Sequence, residues 1–186
     1  MSHAPEYRPG MSKNRFAWPS FAAFATCACA ASSAAAQDDE IPDTPAWRAN
    51  TGLVTGIGFT VLVPEEGNLG FGAELAARYG MPVGPVILAP GGMLGVYFLQ
   101  ERVIGDLLGT LRLTAPLGPL APFVQGGAGP GTLTNPGDAG VAWLAGGGLL
   151  IHFGGVLTIG AELNYQGITG TGFKSLSIGP TIAIGG

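Results

Sequence analysis

In two stretches of the chain, side chains of opposite character alternate without a break. Between residues 69 and 79, Leu69, Phe71, Ala73, Leu75, Ala77 and Tyr79 fall on one side of an extended chain, and Gly70, Gly72, Glu74, Ala76 and Arg78 on the other. Between residues 157 and 166, Leu157, Ile159, Ala161, Leu163 and Tyr165 oppose Thr158, Gly160, Glu162, Asn164 and Gln166. A period of two means strand, with two unlike faces. Carried along the sequence, the pattern predicts eight strands, at about residues 52–63, 69–79, 86–98, 105–115, 120–129, 141–153, 156–166 and 174–184. Each is near the roughly ten residues that a tilted strand needs to cross a bilayer. An even number lets an antiparallel sheet close into a barrel.

Charge decides which face meets solvent. Seven of the twelve Asp and Glu and four of the eight Lys and Arg lie in residues 52–186. A water-facing surface carries roughly a quarter to a third charged residues. The apolar face is therefore expected to face lipid, and the polar face to line a narrow barrel. The whole chain, at 47% hydrophobic and 11% charged, is too apolar for disorder despite its 33 Gly and 15 Pro, since disorder goes with low hydrophobicity and high net charge.

The connections add a second line of support. Residues 80–85, 116–119 and 154–155 are compact and rich in Gly or Pro, as turns on one side of a barrel should be. On the other side, 130–140 and 167–173 read as longer loops and 64–68 as a short one. In this threading Phe71, Phe98, Trp143, Tyr165 and Phe173 fall near one rim, and Tyr79 and Phe153 near the other, where aromatic rings favour the membrane interface. A membrane helix over 141–161 is the rival, with His152 its only ionisable group. Its six glycines, each costing about 1 kcal/mol in a helix interior, favour a hairpin instead.

Ahead of the strands, Lys13 and Arg15 precede an Ala-rich apolar run that ends in Ala34-Ala35-Ala36. That is the layout of a cleaved secretory signal over residues 1–36, with 1–10 an upstream extension if Met11 is the initiator. Cys27 and Cys29 both lie inside it, so the mature chain would have neither disulfide nor thiol site. Beyond Ala36 the formal charge is −6, from eleven acids and five bases, which argues against a nucleic-acid partner. Residues 37–51, with Asp38, Asp39, Glu40, Asp43, Pro42 and Pro45, read as an acidic flexible leader.

The phrases Leu69-Gly-Phe-Gly-Ala-Glu-Leu-Ala-Ala-Arg-Tyr79, Ala121-Pro-Phe-Val-Gln-Gly-Gly-Ala-Gly129 and Leu157-Thr-Ile-Gly-Ala-Glu-Leu-Asn-Tyr165 resemble the small eight-stranded outer-membrane barrels of the OmpA/OmpX type. The likeness spans roughly residues 52–184 and is a style of alternation more than a motif. It implies an all-β, eight-stranded, antiparallel up-and-down transmembrane barrel in a Gram-negative outer membrane. Two departures stand out: the chain ends Ile182-Ala-Ile-Gly-Gly186 where such barrels end on an aromatic residue, and no peptidoglycan-binding domain follows.

On the inward parity lie Glu74, Arg78, Thr110, Arg112, Thr114, Glu162, Asn164, Gln166, Ser177 and Thr181. Charges removed from bulk water need partners, so Glu74 and Glu162 are expected to meet Arg78 or Arg112 across the lumen. Gly56, Gly58, Gly70, Gly72, Gly146, Gly148 and Gly160 share that parity and contribute no side-chain volume, which leaves a narrow cavity as an expectation to test. No catalytic, cofactor or metal site emerges. Residues 126–132 have the glycines of a phosphate loop but no following Lys, and His152 has no Ser or Asp near it in sequence. The reading is a non-enzymatic, monomeric integral outer-membrane protein, with membrane lipid as its partner and a structural or surface-interaction role. The alternative is a narrow pore or binding barrel for small solutes.

Overall fold

The computed structural model describes residues 44–134 and 138–185. The expected signal segment 1–36 and the acidic part of the leader lie outside them. Eight strands, β1 (Gly52–Pro64), β2 (Gly70–Val83), β3 (Val86–Leu99), β4 (Arg102–Thr114), β5 (Leu120–Leu133), β6 (Ala139–Phe153), β7 (Leu157–Ile168) and β8 (Lys174–Gly185), follow one another round a closed barrel. Every neighbouring pair is antiparallel, β1 with β8 included. Stepping from partner to partner, from Val54 through Arg78, Gly91, Thr110, Gly127, Leu144, Gln166 and Ser175, returns to β1 at Pro64, ten residues further on. That stagger is what tilts the strands against the barrel axis.

The faces are oriented as the alternation requires. Leu53, Phe59, Phe71, Leu75, Leu94, Leu107, Leu111, Ile159, Ile178 and Ile184 all point outward and stay exposed. Of the twelve charged residues among those described, Glu74, Arg78, Asp106, Arg112 and Glu162 are inside. Arg48 lies at the end where β1 begins and β8 finishes. The other six, Glu65, Glu66, Glu101, Arg102, Asp138 and Lys174, lie in or beside the loops of the far end. The outer wall between the two rims is thus free of charge. Near the far rim, Phe71 stacks on Phe98 with ring centroids 5.7 Å apart, and Trp143 meets Tyr165 edge-on at 5.4 Å.

Two expectations about connections need correction. The long loop expected over 130–140 shrinks to the short stretch between Leu133 and Ala139, and β3 joins β4 through Gln100 and Glu101 alone. Gly129-Pro130-Gly131 looks like a strand breaker, yet Pro130 stays in β5, paired with Val141 of β6, while the β4–β5 register skips from Asp106↔Gly131 to Gly109↔Ala128. Pro90 and Pro180 do the same to the β2–β3 and β1–β8 registers. Each of these prolines faces outward with a glycine beside it, Gly91, Gly129 or Gly179. There the neighbouring strand's carbonyl, of Ala77, Leu107 or Phe59, sits where a Cβ would be. A proline cannot donate to the ladder, and the glycine lets the backbones close over the missing bond.

The leader is the other correction. Its last residues form a helix, α1 (Pro45–Asn50), with Pro45 in the first turn after Thr44, a position where proline's missing N–H costs nothing. Ala46, Trp47, Ala49 and Asn50 are buried, and Ala46 packs with Ala121, Phe123 and Leu150 inside the barrel mouth.

Candidate functional site

The lumen has three zones. At the end where β1 begins sits α1. In the middle, side chains from five strands converge on Gln125 or its neighbours. The Oε1 of Gln125 accepts from Arg112 Nη2 at 2.8 Å, from Arg112 Nε at 3.1 Å and from Arg78 Nη2 at 3.3 Å. Its Nε2 donates to Asn164 Oδ1 at 2.9 Å and to Glu162 Oε2 at 3.3 Å. Arg112 also pairs with Glu162 at 3.5 Å and lies 3.9 Å above the Phe123 ring centroid. Glu74 accepts instead from the Tyr97 hydroxyl, at 3.0 Å, and the same hydroxyl lies 3.4 Å from Gln166 Oε1. All of these groups are buried, which strengthens a hydrogen bond and raises the cost of an unmade one.

Toward the far end the lumen turns apolar on one side. Leu62, Ile104, Leu108, Leu133, Ala142, Leu144 and Ile168 form one buried cluster with Met93 and Tyr97, and Leu99 and Phe173 pack against it. Ser175 and Ser177 are buried on β8.

Glu74, Arg78, Arg112 and Glu162 therefore share one chamber, with the ion pair formed by Arg112 and Glu162. The Glu74 and Glu162 carboxyls flank Gly58, whose absent Cβ would stand 3.7 Å from Glu74 Oε2 and 3.3 Å from Glu162 Oε1. Three members of the chamber escape the sequence reading. Gln125 shares its parity with the apolar Ala121 and Phe123, so polarity does not mark that face of β5 as inward. Tyr97 sits in β3, where both faces are apolar. Asp106, whose Oδ1 has no partner among the described residues, is separated from Thr110 and Arg112 by Leu108, which breaks the polar alternation.

The lumen glycines do not leave the cavity that their count suggested. A Cβ at Gly72 would run into the Tyr97 ring, and one at Gly148 would lie 2.9 Å from two Phe123 ring carbons. At Gly160 the obstacles are the Leu149 carbonyl oxygen and Leu150 Cδ2, both 2.6 Å away, and at Gly70 they are the Phe98 carbonyl oxygen at 2.9 Å and Leu99 Cγ at 3.1 Å. Space left by one strand is taken by a large side chain from the next. Chemically, the result is a braced polar core between two apolar caps, with two guanidiniums and three carboxyls held among neutral amides. Among the described residues no cluster of His, Cys, Asp and Glu could hold a metal.

No protein-family model matches the sequence, and no curated protein sequence matches it either. Solved structures do. Ail, the attachment invasion locus protein of Yersinia pestis, aligns over 72% of this chain and 98% of its own at 14% identity and a TM-score of 0.53. The outer membrane enzyme PagL aligns over 69% and 98% at 11% identity and 0.56. Neisserial surface protein A aligns over 72% and 96% at 10% identity and 0.54. The chain has the fold of the small eight-stranded outer-membrane barrels.

Proposed function

We propose that the chain is an integral barrel of a Gram-negative outer membrane, exported by a cleaved signal, monomeric and non-enzymatic, with a structural role in the envelope. The observation that carries this reading is the charge-free apolar outer wall: large side chains such as Phe71 and Leu69, each 66% exposed, would be unfavourable against water over so wide a patch. Membrane lipid is the partner that such a wall selects. The filled lumen supports bracing over passage, so the pore reading stands second. Short connections at the far end favour envelope structure over a broad adhesive surface.

The fold alone does not exclude catalysis, since PagL is an enzyme. Against an enzyme here, both ring nitrogens of His152 are engaged, with Asn50 Nδ2 at 2.6 Å and the Pro119 carbonyl at 3.3 Å. The test is outer-membrane fractionation of the expressed chain together with its migration on a gel before and after boiling. The expected result is an outer-membrane band that moves faster unboiled, with no conductance in planar bilayers. Recovery in the soluble fraction without a heat shift would end the membrane reading, and steady single-channel currents would promote the pore.

A further inference from the structure

The helix α1 occupies the barrel mouth in a seat shaped for it. Inward-facing Gly80 and Gly185 have no room for a Cβ, because the Asn50 carbonyl lies against the first and the Ala49 carbonyl against the second. Ala46 is fully buried against Ala121, Phe123 and Leu150. The helix joins β1 through Thr51 and Gly52, and Gly52 has a φ of +78° with nothing near its Cβ position, a joint that glycine accommodates readily.

A polar contact ties this seat to the wall. Asn50 Nδ2 has two hydrogens, one directed at the Ala46 carbonyl, 2.8 Å away, and the other at His152 Nε2, 2.6 Å away. An amide nitrogen can only donate. His152 Nε2 must therefore be a bare acceptor, with the ring proton on Nδ1 facing the Pro119 carbonyl at 3.3 Å. A second proton on the ring would set two donors face to face. Turning the amide over would offer Oδ1 to the ring but would point that oxygen at the Ala46 carbonyl.

Among the described residues, the elements around the ring offer no unengaged carboxylate to take up the added charge. On α1 the charged residue is Arg48. No ionisable residue occurs in β1, and the Lys174 of β8 is at the opposite end. From β2 come Arg78, turned inward, and Tyr79, turned outward; from β4 comes Arg112, which stacks on Phe123, and its carboxylate partner Glu162 of β7 is already engaged. Burying an unpaired imidazolium is costly, and the helix is what can move.

We infer that His152 is a proton-sensitive catch for the N-terminal helix: the neutral ring accepts the Asn50 amide and holds α1 in the mouth, and protonation releases it. The chain has two histidines, His3 and His152, so within the barrel the switch is uniquely placed. The inference rests on the mouth alone and does not depend on where the barrel resides.

The test uses the full chain in detergent micelles with Trp18→Phe and Trp143→Phe, leaving Trp47 as the single indole. Acrylamide quenching of Trp47 is expected to be weak at pH 7.5 and to rise several-fold by pH 4.5, while heat-modifiable migration shows that the barrel persists. In the same background His152→Gln, which accepts through its amide oxygen at any pH, should keep quenching weak throughout. Flat quenching in the parent across this range, or the full rise persisting in His152→Gln, would overturn the inference.

Discussion

A Cβ added at Gly92, Gly109 or Gly126 on the outer wall would find only one backbone oxygen within contact distance, at 3.8, 3.7 and 3.7 Å respectively. One added at Gly72 or Gly148 in the lumen would strike an aromatic ring. The same residue type, on strands of the same barrel, is optional at those outer positions and obligatory at these inner ones. Hydrocarbon asks only that a side chain be apolar. The lumen asks for shape and for hydrogen-bond partners, because a narrow barrel is filled by its own side chains.

The sharpest way to break this contrast is Arg112→Ala. It strips the ion pair from Glu162 and two donors from Gln125, and removing one partner of a buried pair typically costs about 3–5 kcal/mol. Urea unfolding in micelles reads the loss; a midpoint close to that of the parent would mean the chamber is wet and adaptable. Next comes the outer wall itself. Leu75→Arg places a charge on the exposed face of β2, expected to cost about 2–4 kcal/mol near a bilayer midplane, whereas Leu75→Phe should be close to neutral. Folding into lipid vesicles distinguishes them. Equal stability of the two variants would mean that the wall faces water.

How far the sequence displays this architecture depends on the same contrast. β2 and β7 alternate cleanly because their inward positions include Glu74, Arg78, Glu162, Asn164 and Gln166, so polarity alone separates the faces. β3 runs Val-Ile-Leu-Ala-Pro-Gly-Gly-Met-Leu-Gly-Val-Tyr-Phe-Leu, apolar on both sides, and nothing local tells Tyr97 from Phe98. Their difference is tertiary: Tyr97 has Glu74 and Gln166 within reach, and Phe98 has Phe71. The prolines mislead for another reason. Pro90, Pro130 and Pro180 each break one ladder and leave the other intact, an arrangement a one-dimensional pattern cannot show. For α1 the signal was present in Thr44-Pro45, a helix-start pair, but six residues surrounded by prolines and acids carry little weight before the barrel mouth that receives them is known.

A milder probe of the contrast applies one substitution to both faces. Gly148→Ala should cost about 1–3 kcal/mol through overpacking, since the methyl would run into the Ala161 carbonyl oxygen and must also displace the Phe123 ring and, through it, the Arg112 guanidinium stacked there. Gly109→Ala is the smallest effect and the most informative. The methyl meets the Ala128 carbonyl oxygen at 3.7 Å and nothing closer. Replacing a glycine that strains nothing restricts the unfolded chain, a gain of about 0.4–1 kcal/mol. Paired urea midpoints in micelles should thus move in opposite directions for the two variants. If Gly109→Ala were as damaging as Gly148→Ala, the bare stripe on the outer wall would have a shape requirement of its own, and the rule that polarity alone specifies that face would fail.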